Sequence, residues 1–356
     1  MSMLSGEYGM LVQELQKKAA ACRQPLHGTF ELTARCNLFC RMCYISHAPD
    51  HPRQIERELS ASSWLEIARQ AKAEGTLFLL LTGGEILLRQ DFFDLYTPLT
   101  KMGFVLSLFT NGTLISEDIA AKIAEAPPHR MEITLYGASA ATYESITGVP
   151  GSFDRCCRGI ESLLKRGVKF GLKTTLTRQN IGEFEGMKRM AGAWNLPFSG
   201  GWQLTRRTDG NASAVDGCRL PVSECIDLES ADSTAAENWR HAAEQPENGT
   251  GKLNSFYCQA GKTAFTVDSS GGMNVCSDLP APGARPLETG FAEAWAALRR
   301  YIDTAPPLSS ECFSCEALAY CGICPAWSLT ETGTMTSPVP YLCDIAFERK
   351  KRYEHT

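Results

Sequence analysis

The sequence predicts an α/β fold: a parallel sheet, either opened out as a partial, TIM-like (β/α)6 barrel or doubly wound, followed by a small cysteine-rich C-terminal domain. Three observations carry this. From residue 29 to about 205, short β-rich runs alternate with amphipathic stretches of helical length, a pattern that builds right-handed βαβ units on a parallel sheet. The 356 residues suffice for one large domain and a smaller one. Beyond about Asn254 cysteines are dense and long periodic elements scarce, as in regions where metal centres replace apolar burial. Periodicity alone does not choose between the barrel and the wound sheet.

Residues 1–27 read as a lead-in, with a short helix over 11–22. Residues 28–205 form the core unit, with strands over 29–33, 77–82, 105–110, 132–136, 169–175 and 201–204. Helices near 61–74, 91–102, 117–125, 152–166 and 183–194 lie between them. Residues 206–253 read as a connector or exposed insertion. Glu, Ala, Ser, Asn and Gly dominate 229–251, and the run ends Pro246-Glu247-Asn248-Gly249-Thr250-Gly251. Residues 254–356 are the cysteine-rich unit.

Composition narrows the function classes. Hydrophobic residues make up 44% and charged residues 21%, a globular profile, and the formal charge of −5 argues against a nucleic-acid footprint. The run Glu348-Arg349-Lys350-Lys351-Arg352 reads as the polar side of a last helix. No apolar stretch is long enough to span a membrane, and the first 30 residues hold no secretory h-region. The expectation is a cytoplasmic protein. In such a reducing compartment, 15 cysteines point to metal or redox chemistry rather than disulfides.

Cys36-Asn37-Leu38-Phe39-Cys40-Arg41-Met42-Cys43 is a C-x3-C-x2-C motif just after the first strand. Three thiolates can hold three irons of a [4Fe–4S] cube and leave the fourth open, as a catalytic metal needs. The spacing also suits a zinc knuckle, with His47 or His51 completing the set. Thr82-Gly83-Gly84-Glu85 ends the second strand. Adjacent glycines let a ligand approach the main chain closely, and a carboxylate beside them can take an ammonium group.

On these residues the sequence resembles the radical S-adenosylmethionine (radical SAM) superfamily. The resemblance implies that Cys36, Cys40 and Cys43 ligate the [4Fe–4S] cluster that cleaves S-adenosylmethionine. Gly83, Gly84 and Glu85 would bind the amino end of that cofactor. Ile86 stands where the family usually has Pro, and Met42 where an aromatic often precedes the third cysteine. Further matches are Phe109-Thr110-Asn111-Gly112, with Ser107 near the ligand, and Leu135-Tyr136-Gly137-Ala138-Ser139. The resemblance covers roughly 28–205 and selects the partial barrel. In such barrels active sites lie at the C-terminal strand ends, where Ser107, Thr110, Asn111, Tyr136 and Lys173 fall. One electron from the reduced cluster would then break a carbon–sulfur bond, giving methionine and a 5′-deoxyadenosyl radical that abstracts hydrogen from a substrate.

A second cysteine region runs Cys312-x2-Cys315-x5-Cys321-x2-Cys324, followed by Cys343, with Cys258 and Gly271-x4-Cys276 upstream. It resembles the SPASM extension, which carries auxiliary [4Fe–4S] clusters, although Cys321 and Cys324 are spaced x2 where x3 is usual. By that resemblance Cys312, Cys315, Cys321 and Cys343 hold one complete cluster. Cys258, Cys276 and Cys324 belong to another that lacks an obvious fourth ligand. Cys218 or Cys225 could supply it, or an open iron could bind substrate. Cys22, Cys156 and Cys157 read as ordinary buried thiols.

The SPASM group is rich in maturases of ribosomally made peptides, and Leu135 to Phe153 looks most like that branch. The resemblance implies a peptide or protein substrate, with thioether or carbon–carbon crosslinking or epimerisation, and a flavodoxin- or ferredoxin-type electron donor. About 27 residues precede the first strand, too few for a winged-helix leader-binding domain, so the expectation is that peptide recognition is intrinsic or supplied by a separate leader-binding protein. The alternatives are a small-metabolite enzyme acting on a tetrapyrrole side chain or quinone-cofactor precursor, and an anaerobic sulfatase maturase. Sulfatase maturases carry a carboxylate beside the cysteine at the Cys276 position. Asp278, displaced by one, is either the corresponding base or a solvated surface group. Trp202, Gln203 and Arg206 could line the substrate mouth or serve packing.

Overall fold

The computed structural model describes residues 6–208, 214–244 and 256–354. A leading helix, α1 (Gly6–Cys22), precedes six parallel strands: β1 (His27–Thr33), β2 (Phe78–Gly83), β3 (Val105–Thr110), β4 (Arg130–Thr134), β5 (Gly171–Thr175) and β6 (Phe198–Gly201). They lie side by side in chain order. Sequential order without a reversal is barrel topology; a doubly wound sheet would turn back at a switch point. The partial barrel is therefore the fold. Beyond β1 the sheet continues with β7 (Ala264–Val267), parallel to β1, then the antiparallel hairpin β8 (Met273–Cys276) and β9 (Leu279–Ala284). The cysteine-rich region thus begins as an extension of the same sheet.

The strands form because apolar residues alternate with polar ones at period two. On β1, Phe30 and Leu32 are buried and Phe30 packs on Trp64 of α2 (Ala61–Ala73). Thr29 and Glu31 therefore face the barrel interior. Helix starts are read by short polar caps: Ser60, Ser116 and Ser139 each accept from a backbone N–H three residues on. Gly148, left-handed at φ 68°, ends the helix Ala140–Thr147.

Five of the six strands lie where the sequence puts them; β6 comes three residues earlier than expected, over Phe198–Gly201. The expected connector is helical over Val222–Ala231 and Ser233–Glu244, and the Pro246–Gly251 run lies outside the described residues. Its polar composition hides a buried stripe, Cys225, Ile226 and Glu229. Glu229 takes Arg349 through two hydrogen bonds of 2.6 and 2.8 Å, fastening this segment to the last helix, α3 (Pro340–Tyr353). The C-terminal region also holds longer helices than expected, Phe291–Asp303 and α3. Among the described residues no helix is long and apolar enough to cross a membrane.

Candidate active site

The C-terminal ends of β1, β2 and β3 converge on one group of residues. After β1 the chain makes a loop that closes on itself: Cys36 N–H donates to His47 O at 2.9 Å, and His47 N–H to Ala34 O at 3.0 Å. Phe39 and Arg41 donate backbone N–H groups to Thr147 O and Ile146 O, clipping the loop to the barrel wall. Inside it, Cys43 N–H reaches Cys40 O at 3.0 Å, so the three cysteines are held on one short coil.

Their sulfurs are surrounded by donors. Cys36 Sγ accepts from Leu38 N–H at 3.4 Å and from Asn111 Nδ2 at 3.7 Å. The backbone N–H groups of Ile45 and Ser46 lie toward the Cys43 sulfur and favour its thiolate. The Tyr136 hydroxyl bonds the Cys40 sulfur. Burial pushes the Cys36 thiol up to about 12, the nearby Glu85 adding to it, and burial likewise raises Cys40 and Cys43. The charges of Cys36 and Cys43 raise Cys40 further. One buried and two half-buried thiols, with N–H donors about them and ionisation opposed by desolvation, fit a positively charged iron core that holds thiolates. Among the described residues no three Cys, His, Asp or Glu side chains converge on a single ion. Corners of a cube do not require convergence; a zinc knuckle does.

The Gly83–Gly84 pair lies against this loop. Gly83 sits at φ 129°, and a Cβ on it would stand 2.3 Å from Thr33 O. A Cβ on Gly84 would stand 2.1 Å from Arg35 O, and Gly84 N–H donates to Thr33 O at 2.7 Å. Only glycine lets the two strand ends approach so closely. Glu85 is fully buried, with Oε1 accepting from Thr110 Oγ1 at 2.7 Å and Leu87 N–H at 3.1 Å, and Oε2 from Asn111 N–H at 2.7 Å. Its carboxylate therefore joins β2 to β3. Asn111 and Tyr136 lie against the cysteine loop and Thr110 against Glu85, while Ser107 and Lys173 lie on β3 and β5. Lys173 Nζ sits 3.0 Å over the Phe109 ring and 3.8 Å from Glu132, and burial lowers its pKa to about 8.

Sequence reasoning missed a polar recess between the cysteine loop and the β8–β9 hairpin. It measures about 130 Å³ and is lined by Glu31, Tyr44, His47, Asp268, Cys276 and Ser277 among others, with no lysine or arginine among the described residues of its wall. Glu31 accepts the Tyr44 hydroxyl at 2.7 Å. Burial raises its carboxyl; the hydrogen bonds from Tyr44 and Ser277 oppose this, while Asp268 and Asp278 add to it. Asp278 is partly buried rather than surface-solvated: burial raises it, and its one side-chain hydrogen bond, from Thr205 Oγ1 at 2.7 Å, lowers it. The signal for Glu31 was available: a carboxylate at an inward position of a central strand. Trp202 belongs to packing, buried with its ring 6.4 Å from Tyr341, and Arg206 pairs with Asp216 at 2.8 Å.

The other cysteines fall into two groups. Cys312, Cys315, Cys321 and Cys343 line one cavity of about 190 Å³ with Leu318 and Ile323. Elsewhere Cys276 and Cys324 feel each other's charge, and Cys324 feels Cys258. Sulfur-directed N–H groups recur: Asp278 and Leu279 to Cys276, Ala326 and Trp327 to Cys324. Cys218 packs with Met42 and Leu204 beside Cys40, and Cys225 lies 3.2 Å from the Tyr341 hydroxyl. Cys156 is buried as expected, whereas Cys22 is exposed because α1 turns it to solvent, and Cys157 is half-buried.

Residues 30–191 match the family described as the Radical SAM superfamily. An AdoMet-dependent heme synthase from Oleidesulfovibrio alaskensis is 26% identical over 94% of this chain and 90% of its own. A mycofactocin maturase, MftC, from Mycobacterium ulcerans is 26% identical over 82% of this chain and 80% of its own. Among solved structures, Streptococcus suis SuiB bound to S-adenosylmethionine superposes with a TM-score of 0.68 at 17% identity, over 96% of this chain and 84% of SuiB. This last likeness is one of fold.

Proposed function

From the premise that this chain belongs to the radical SAM superfamily through residues 30–191, we propose that it modifies a peptide or protein side chain presented at the recess between Tyr44 and Cys276. Cys36, Cys40 and Cys43 hold the cleaving [4Fe–4S] cluster, and the glycine edge of Gly83 and Gly84 admits S-adenosylmethionine against the main chain. When bound, that pair supplies a one-electron cleavage of a carbon–sulfur bond and a 5′-deoxyadenosyl radical able to take a hydrogen atom. Cys312, Cys315, Cys321 and Cys343 hold an auxiliary cluster. A flavodoxin- or ferredoxin-type protein delivers electrons, and a separate leader-binding protein can deliver the substrate.

The observation that carries the substrate reading is the charge of the recess. Glu31 and Asp268 line it and Asp278 stands beside it, while among the described residues its wall holds His47 but no lysine or arginine, the guanidinium of Arg207 being turned to the Cys43 carbonyl. A substrate with several carboxylates would pay desolvation and meet like charge there; a neutral or cationic side chain would not. Likeness to the mycofactocin maturase supports this reading. The second reading, a tetrapyrrole side chain, is favoured by the likeness to the heme synthase along nearly the whole of both chains.

One experiment separates them. The anaerobic protein is incubated with S-adenosylmethionine, a reductant and either a candidate precursor peptide or an iron-porphyrin bearing propionates. The peptide reading expects a mass change, or deuterium uptake from solvent, in the peptide alone. Decarboxylation of the porphyrin with an unaltered peptide would overturn it.

A further inference from the structure

Arg35 stands directly before Cys36, and its main chain is where the ends of β1 and β2 meet. Its carbonyl accepts Glu85 N–H at 2.9 Å and is the atom that a Cβ on Gly84 would strike. Its own N–H donates to Thr33 Oγ1 at 3.0 Å. The side chain is committed as fully. Nε and Nη2 donate to Glu58 Oε1 and Oε2, each at 2.8 Å, and Nη1 donates to Pro49 O at 2.7 Å. One planar guanidinium therefore joins the start of the cysteine loop to its far end and to a carboxylate outside it.

Glu58, which ends the helix Pro52–Arg57, gathers more than this fork. The Thr33 hydroxyl donates to its Oε1, and Arg89 Nη1 lies 3.7 Å from its Oε2. Arg89 follows the turn Ile86–Leu88, four residues after Glu85, and donates to Leu32 O at 3.0 Å and Leu59 O at 2.8 Å. Asp91 balances its charge at 2.7 Å. The end of β1, the cysteine loop and the exit of β2 are thus held on one carboxylate. Its side chain is 8% exposed, against 13% for Arg35 and 4% for Arg89. Charges taken this far out of water add little stability over apolar side chains of the same volume. A two-pronged guanidinium pair instead fixes the direction of what it joins.

We propose that Arg35 and Glu58 are a positioning pair: they set the register between the cysteine loop and the Gly83–Gly84 edge, and with it the alignment of S-adenosylmethionine on both. This rests on the reading that Cys36, Cys40 and Cys43 hold the cleaving cluster and that the glycine edge admits the cofactor. Both side chains act through the Arg35 main chain rather than by touching the cofactor. A small shift of that main chain moves the two halves of the site apart while leaving each half intact.

The test uses the full chain, reconstituted anaerobically with ferrous iron and sulfide. Affinity for S-adenosylmethionine is read by equilibrium dialysis, and the change it induces in the EPR spectrum of the reduced protein isolates the first cluster. Arg35→Met keeps the wild-type iron content, binds S-adenosylmethionine about tenfold more weakly and shows an altered induced spectrum. Glu58→Gln, which keeps the side-chain shape, gives the same changes in smaller measure. Arg35→Lys recovers little, because one ammonium cannot span Glu58 and Pro49 together. Leu99→Ala, a core cavity on the helix Phe92–Lys101, loses stability but keeps wild-type affinity and spectrum. Wild-type affinity and spectrum in both Arg35→Met and Glu58→Gln overturn the assignment, as do equal losses in Leu99→Ala. A wild type whose spectrum S-adenosylmethionine leaves unchanged overturns instead the cluster reading on which the proposal rests.

Discussion

Glu85 Oε2 accepts the backbone N–H of Asn111 at 2.7 Å, and the acceptor is fully buried. This bond, with those from Thr110 Oγ1 and Leu87 N–H, ties the end of β2 to the end of β3. The side chain of Asn111 then reaches Cys36 Sγ at 3.7 Å. A carboxylate in the core thereby sets where a donor meets the cluster loop.

Glu85→Ala leaves the Asn111 and Leu87 N–H groups and the Thr110 hydroxyl without this acceptor. It should cost about 3 kcal/mol, since each buried group left unpaired costs about 1–3 kcal/mol. Urea unfolding of the anaerobic protein measures it, and an unchanged midpoint would contradict the tie that Glu85 makes between β2 and β3.

Gly84→Ala forces a Cβ to within 2.1 Å of Arg35 O, a backbone atom with no freedom to retreat. Overpacking of this kind costs about 1–3 kcal/mol. Because the displaced edge is the one proposed to face S-adenosylmethionine, equilibrium dialysis should also show weaker binding. Wild-type affinity in this variant would count against the glycine edge as the binding edge.

Asn111→Ala removes the side-chain donor from Cys36 Sγ. Hydrogen bonds to cluster sulfurs stabilise the reduced, more negative state. The midpoint potential of the first cluster should therefore move negative, read by an EPR-monitored titration. A positive shift, or none, would show that the contact does not bear on the cluster.

Burial lowers Lys173 from 10.5 to about 8. In that window the unfolded chain binds more protons than the folded one, so folding stability rises with pH. The stability of wild type relative to Lys173→Met should rise between pH 8 and 10.5 and be flat below that range. A difference that falls over this interval would place Lys173 in a different environment.

Much of the barrel was legible because its determinants are local. Alternation marked β1 to β5, whereas the helix Ala140–Thr147 was not anticipated. The C-x3-C-x2-C run and Gly83–Gly84 were equally local. What escaped depends on partners far along the chain. The 222–244 segment looks like a linker until Glu229 meets Arg349. That Glu85 also holds Leu87 N–H, Thr110 Oγ1 and Asn111 N–H was not legible, because two of these partners lie on the next strand end. Asp278 looked solvated because nothing in its neighbourhood of sequence reveals Thr205 or Cys324.

The most direct test of the central claim is anaerobic formation of 5′-deoxyadenosine from S-adenosylmethionine and reductant, with iron measured on the same sample. The reconstituted wild type should produce it, and the chain with Cys36, Cys40 and Cys43 changed to Ala should produce none while keeping its auxiliary iron. Production by that variant at the wild-type rate would contradict the assignment of those three cysteines.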